Sequence, residues 1–133
     1  MQRMQTLTVA ERYDVLAPDS SKIRLLVSTD RGSMVHCTLA AGRTSLAVRH
    51  RTVEEVWYFL GGRGEVWRKL GGEEQVMAVK AGVSLTVPTG AHFQFRAIGA
   101  EPLTFMIVTM PPWPGEAEAT RVADYWPVPR GST

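Results

Sequence analysis

A chain of 133 residues, 44% hydrophobic and 21% charged, is sized for one domain with a real core and is too apolar to stay disordered. The net charge of +2 comes from 15 scattered basic residues, twelve of them Arg, and no basic run tracks a phosphate backbone, so nucleic acid is not expected as a partner. The single cysteine, Cys37, excludes an internal disulfide and fits a reducing, cytoplasmic setting; no stretch approaches the roughly 20 apolar residues of a membrane helix, and Met1 to Ala10 lacks the apolar run of a secretory leader.

Residues 1–20 read as an N-terminal arm. Lys22 to Val27 is the first strand, closed by a turn over Asp30 to Ser33. Met34 to Ala40 is the second, and Ala41-Gly42 leads into Ser45 to His50. Glu55 to Leu60 is dense in Val, Trp, Tyr and Phe. The glycines at 61, 62 and 64 turn the chain back into Glu65 to Leu70, because glycine takes positive φ without steric cost. Gly71 and Gly72 precede Gln75 to Lys80, Gly82 precedes Val83 to Val87, and Pro88 to Gly90 precedes Phe93 to Ala97. Leu103 to Thr109 is the last strong strand. Turn signals about every 8–12 residues predict an all-β sandwich or barrel within a single domain, 1–133.

Residues 110–133 form a Pro-rich C-terminal extension. Pro111, Pro112 and Pro114 cannot donate to a ladder, so this stretch is no central strand. Trp113 is expected to lie across the barrel or against a partner subunit. The best helix candidate is Gly115 to Ala123. Residues 128–133 resemble a protease-cleavage scar and carry no weight in the fold.

Gly42, Val48, His50, Glu55 and Gly62 stand at the spacing of the first motif of the cupin superfamily, whose pattern is two histidines one residue apart, a glutamate and a glycine. Gly82, Pro88 and Gly90 resemble the start of the second motif. From Gly42 to Ala97 the chain thus resembles a small single-domain cupin with a degenerate metal motif. The resemblance implies a jelly-roll β-barrel of two antiparallel sheets with a short helix or none near the C-terminus. It also implies a tendency to homodimerise, and an activity of dioxygenase, isomerase, lyase or decarboxylase type or plain small-molecule binding.

Strand alternation independently brings an imidazole and a carboxylate to one interior. Val48 and His50 share a face, as do Glu55, Trp57 and Phe59. Imidazole with carboxylate suits Fe, Mn, Ni, Cu or Zn. The pattern departs from the family at two places. Val48 occupies the first histidine position, and Phe93 occupies the third, with His92 one residue early. Alternation turns Phe93, Phe95 and Ala97 inward and His92, Gln94 and Arg96 outward, unless a β-bulge rotates His92 into the site. His36 on the preceding strand is the fallback ligand.

Three readings of His50 and Glu55 therefore stand side by side: metal ligands with His92 or His36, a metal-free acid–base pair, or a structural hydrogen-bonded pair. The favoured function is a metal-dependent enzyme acting on a small, partly apolar molecule, with Val48, Trp57, Phe59, Phe93 and Phe95 lining the pocket. The alternative is a non-catalytic binding or sensor barrel without metal. An aromatic-walled pocket fits an aromatic or polyketide-like ligand better than a sugar phosphate. Trp67 is expected to pack on Trp57, Glu54 to face solvent, and Gln94 and Arg96 to pair across a second sheet or a dimer interface. Cys37 is expected to be a buried structural residue.

Overall fold

The structure, a computed structural model, describes residues 3–128. Each strand expected between Lys22 and Thr109 forms, with its ends moved by a few residues. In chain order these are β2 (Lys22–Ser28), β3 (Ser33–Leu39), β4 (Val48–His50), β5 (Glu54–Gly61), β6 (Arg63–Leu70), β7 (Glu73–Lys80), β8 (Ser84–Val87), β9 (His92–Ile98) and β10 (Leu103–Met110). Two short strands were not foreseen, β1 (Val15–Leu16) and β11 (Ala119–Arg121). All pairings are antiparallel. One sheet has the order β1-β2-β3-β10-β5-β8 and the other β11-β4-β9-β6-β7. The helix expected over residues 115–123 is instead one 3-10 turn, Glu116–Glu118, followed by β11. β11 pairs with β4 from Ala119↔His50 to Arg121↔Val48 and so supplies the edge partner that β4 would otherwise lack. No helix among the described residues is long and apolar enough to cross a membrane.

The two inner faces meet as a jelly roll. Alternate residues of β5 (Trp57, Phe59), β9 (Phe93, Phe95, Ala97) and β10 (Leu103, Phe105, Ile107) are buried, and the residues between them face outward. The centre is a cluster of aromatic rings. Phe105 lies 4.7 Å from both Trp57 and Phe59 and 5.2 Å from Phe95, centroid to centroid.

A second, smaller cluster forms on the outside of the five-stranded sheet. There Trp67 and Ala47 pack against Trp126 and Val122. Trp67 therefore does not pack on Trp57. It sits one step along β6 from the buried Val66, so it faces the opposite side of the sheet. Its ring stacks on Tyr125 at 5.3 Å and its Nε1–H donates to Glu74 (2.8 Å). Gln94, fully buried, ties the tail down. Its Nε2 donates to the Ser45 and Trp126 carbonyls, both at 2.9 Å, and its Oε1 accepts from the amides of Tyr125 (2.9 Å) and Trp126 (2.8 Å). Arg96 pairs with Glu65 on the neighbouring strand at 2.6 Å and lies over the Trp126 ring. Both residues thus serve the chain's own tail. Glu54 is exposed and Cys37 is fully buried, as expected.

The β5–β6 turn depends on glycine. Gly62 has φ = +74°, and a Cβ there would collide with the Pro102 carbonyl oxygen. Gly62→Ala is expected to cost more than about 1 kcal/mol of stability, read as a lowered urea midpoint with an unchanged slope.

Candidate functional site

Three strands aim polar side chains into the barrel. On β4 the short pattern buried–exposed–buried turns Val48 and His50 inward. On β5 Glu55 is the first inward residue, and on β10 Thr109 is the last. Glu55 and Thr109 are direct cross-strand partners, so their side chains meet. The Glu55 carboxyl is held at both oxygens: Trp57 Nε1–H donates to Oε1 (2.9 Å) and Thr109 Oγ1 lies 2.7 Å from Oε2. His50 Nδ1 stands 4.0 Å from Glu55 Oε1, beyond hydrogen-bond length, and has no partner although it is buried. His50 and Glu55 are therefore neighbours but not a hydrogen-bonded pair.

These groups open onto a cavity of about 460 Å³ between the sheets. Its walls are chiefly apolar, among them Val48, Trp57, Phe93 and Ile107. The Pro-rich segment closes one side. Trp113 packs edge-to-face with His50 (5.2 Å), as Phe93 does (5.0 Å), and its amide donates to Ser33 Oγ (3.2 Å). Further along, the buried Glu118 carboxylate accepts from the Thr52 amide and hydroxyl (both 2.6 Å) and the Val53 amide (2.9 Å). That clamp fixes the loop between His50 and Glu55. Trp113 thus lies across its own barrel.

Burial sets the protonation states. It pushes His50 down to about 4, against the opposing pull of Glu118, so the imidazole is neutral at neutral pH. It pushes Glu55 up to about 7; the Trp57 and Thr109 hydrogen bonds resist, while Asp19 and Glu118 add to the rise. Asp19, also in the cavity wall, is raised by burial despite bonds from the Ser21 amide (3.0 Å) and hydroxyl (2.6 Å). The cavity thus holds a neutral base beside an acid poised near neutrality.

The Cupin domain family model matches residues 35–109. The chain belongs to the cupin family. An uncharacterized protein of Methanocaldococcus jannaschii is 26% identical over 117 residues, covering 81% of this chain and 90% of its own. A solved protein of Bacillus halodurans superposes with a TM-score of 0.63 at 18% identity, covering 74% of this chain and 76% of that one. Oxalate decarboxylase of Bacillus subtilis, a protein with Mn(II) centres, superposes at 0.67 with 16% identity. There the match covers 77% of this chain but only 28% of the decarboxylase. At these identities the solved structures establish the fold.

Against the cupin pattern, the expected third ligands do not arrive. β9 runs in unbroken register, with Val48↔Phe93 and Arg49↔His92 on one side and Arg68↔Phe93 and Lys69↔His92 on the other. With no bulge to rotate it, His92 stays on the outer face in a row between Arg49 and Lys69, near the Trp67 ring, and Phe93 takes the cavity. His36 also faces outward. It lies in the row of Arg24 and Met106, while Cys37 beside it points into the core. Of the five expected pocket residues, Val48, Trp57 and Phe93 line the cavity. Phe59 and Phe95 lie deeper, packed on Phe105 in the core.

The donor set at the site does not fit a metal. A mononuclear catalytic centre usually needs three protein ligands, and His50 and Glu55 supply two. No group of three or more His, Cys, Asp or Glu among the described residues is placed to hold an ion.

Sequence reasoning missed three contributors. Thr109 was open to it, being in step with Phe105 and Ile107 on β10. Asp19 was not, since Pro18 to Ser21 reads as a turn in an arm rather than cavity wall. Glu118 was hidden in a predicted helix.

Proposed function

We propose that this cupin binds a small, partly apolar molecule in the barrel and moves a proton on it with Glu55 and His50, without a metal. The observation that carries the proposal is the pairing of a near-neutral carboxylic acid with a partnerless neutral imidazole on the wall of an apolar cavity. Protonated Glu55 gives its proton to a developing negative charge. His50, whose Nδ1 has no partner, completes the exchange at a neighbouring carbon or hydroxyl. Trp57 and Thr109 hold the carboxyl in place for this exchange. Such chemistry is of the isomerase or lyase type. The Trp57, Phe93 and Trp113 rings favour an aromatic or alicyclic body over a sugar phosphate.

The test is proton NMR in D₂O with a panel of small cyclic ketones. Loss of the α-proton signal with the wild-type protein, and none with Glu55→Gln or His50→Gln, is expected; no exchange with any panel member, or equal exchange by the variants, refutes the acid–base roles. Metal content decides the competing reading. Protein expressed with added Fe, Mn, Ni, Cu and Zn is expected to carry less than about a tenth of an equivalent. Near-stoichiometric metal that His50→Ala abolishes would instead establish a metal-dependent cupin. A homodimer is supported by the outer face of β5, where Val56, Tyr58 and Leu60 are exposed.

A further inference from the structure

The inner face of the six-stranded sheet continues past the aromatic core to an open end. Direct cross-strand partners share a face, so the register lines up side chains from strand to strand. Leu25 pairs with Val35, Val35 with Ile107, and Ile107 with Trp57, one apolar row across β2, β3, β10 and β5. Beside it Ser28 pairs with Ser33, Ser33 with Thr109, and Thr109 with Glu55, a row of hydroxyls that ends on the carboxyl. A register shift on β2 between Leu25 and Ser28 lets Ser28 join this row although it lies three residues on. Both rows line the cavity. Exposure grades along each: Trp57 and Glu55 are buried, Val35 and Ser33 half-buried, Leu25 and Ser28 exposed. The short β1 leaves this end open. Its two residues pair only with Ile23 and Lys22, so among the described residues no strand flanks Leu25 on the outer edge of β2. Leu25 lies opposite Val35, which packs on the core, and yet is 55% exposed.

We propose that the ligand is elongated and amphipathic: a compact head beside Glu55 and His50, and a chain that runs out across β10, β3 and β2 to Leu25, with its oxygen functions along the edge that meets the hydroxyl row. The inference rests on the reading that this cavity takes a small, partly apolar molecule, and adds the molecule's length and the side on which its oxygens lie. Three steps between strands of about 4.8 Å each span about 14 Å from Trp57 to Leu25, the reach of a six-membered ring with a chain of about seven carbons. A chain lying on Ile107 and Val35 covers Leu25, the apolar side chain that the fold itself leaves half in water. The hydroxyl row has bonding capacity left. Ser33 Oγ accepts the Trp113 amide and keeps its own O–H to donate, and Thr109 Oγ1, bonded to Glu55, keeps a lone pair. A pure hydrocarbon chain would leave these groups unpaired where it covers them, and a chain hydroxylated on both edges would set polar groups against Ile107 and Val35.

The experiment is titration of the wild-type chain, followed by tryptophan fluorescence, with cyclohexanones that carry a methyl, propyl, pentyl or heptyl chain at C4, and with 4-(4-hydroxyheptyl)cyclohexanone. Affinity is expected to tighten by about threefold per added carbon, so that the heptyl compound exceeds the methyl compound by more than about fiftyfold. The hydroxylated compound should bind within about fivefold of the heptyl compound. Leu25→Glu is expected to cut the heptyl-to-methyl affinity ratio by at least about fivefold; if that variant does not fold by circular dichroism, Leu25→Ser is read in the same way. Binding of the methyl compound with no further gain along the series, the result if a second copy of the chain covers Leu25, overturns the track and leaves the small-ligand reading standing. An unchanged ratio in the Leu25 variant does the same. A loss of more than about fivefold on adding the hydroxyl, as for a hydroxyl buried without a partner, overturns the oxygenated edge. No binding of any probe overturns both the track and the reading it rests on.

Discussion

Replacing Glu55 by Gln should unmask a rise in stability between about pH 4 and 6.5 that the wild-type chain conceals. His50 is held at about 4 in the folded state against an ordinary 6.5. As pH falls through that interval the unfolded chain takes up a proton that the folded chain refuses, so stability drops on acidification. Glu55 works in the opposite sense. Its carboxyl holds its proton up to about 7 when folded but only to about 4.5 when unfolded, so stability falls as pH rises from 4.5 to 7. Each displacement is about 2.5 pH units, on the order of 3 kcal/mol. In the wild-type protein the two slopes oppose each other from about pH 4.5 to 6.5.

Glu55→Gln keeps the geometry of the protonated acid. Its carbonyl accepts from Trp57 and its amide donates to Thr109. It therefore leaves the rising His50 slope alone. His50→Phe fits between the rings of Phe93 and Trp113 and leaves the falling Glu55 slope alone. Asp19, raised by burial, is present in all three proteins and adds to each a loss of stability with rising pH, in the same sense as Glu55. Glu118, held below its ordinary value by Thr52, Val53 and His50 despite its burial, contributes stability that is lost only as pH falls below about 4.5. Urea unfolding at half-unit intervals from pH 4 to 8 measures the curves. Identical slopes in the wild type and both variants would mean that neither group is perturbed as described.

Phe105→Ala should be the most damaging single core substitution, with an expected loss of about 3–5 kcal/mol. The ring is fully buried on the central β10 and touches Trp57, Phe59 and Phe95. Those three come from both sheets, so the vacated volume cannot close without moving one sheet against the other. Phe105→Leu, which retains most of the volume, should lose far less. A drop in the urea midpoint for Ala and a small one for Leu, at unchanged slope, is the expected pattern. Equal losses would show that the aromatic edges rather than the filled space stabilise this core.

The two cases mark where sequence reasoning succeeds. Alternation and turn glycines located the nine strands from Lys22 to Met110, because an inward position on a pleated strand follows from its neighbour. The same rule placed Phe93 inside and His92 outside. It set His50 and Glu55 in one interior, and the family spacing pointed to the same two residues. The rule fails where a side chain is recruited from irregular chain. Asp19 enters the cavity through a turn held by Ala17, Ser20 and Ser21, and Glu118 through a single 3-10 turn. No periodicity announces either: Asp19 is held locally by Ser21, and Glu118 reaches a partner, Thr52, 66 residues away. Trp113 is intermediate: its size demanded burial, but only the fold shows that its own barrel supplies it.

Gln94 carries a consequence for how this chain could vary. An amide side chain offers two donors and two lone pairs, and here all four are consumed by the backbone of Ser45, Tyr125 and Trp126. Glu lacks the donors, Asn is one carbon short, and any apolar residue strands four main-chain groups, three of them in buried bonds. The residue and the segment 124–126 therefore form one heritable unit. Chains that keep this tail should keep glutamine at the position, and chains that have exchanged the tail for another covering should be released from it.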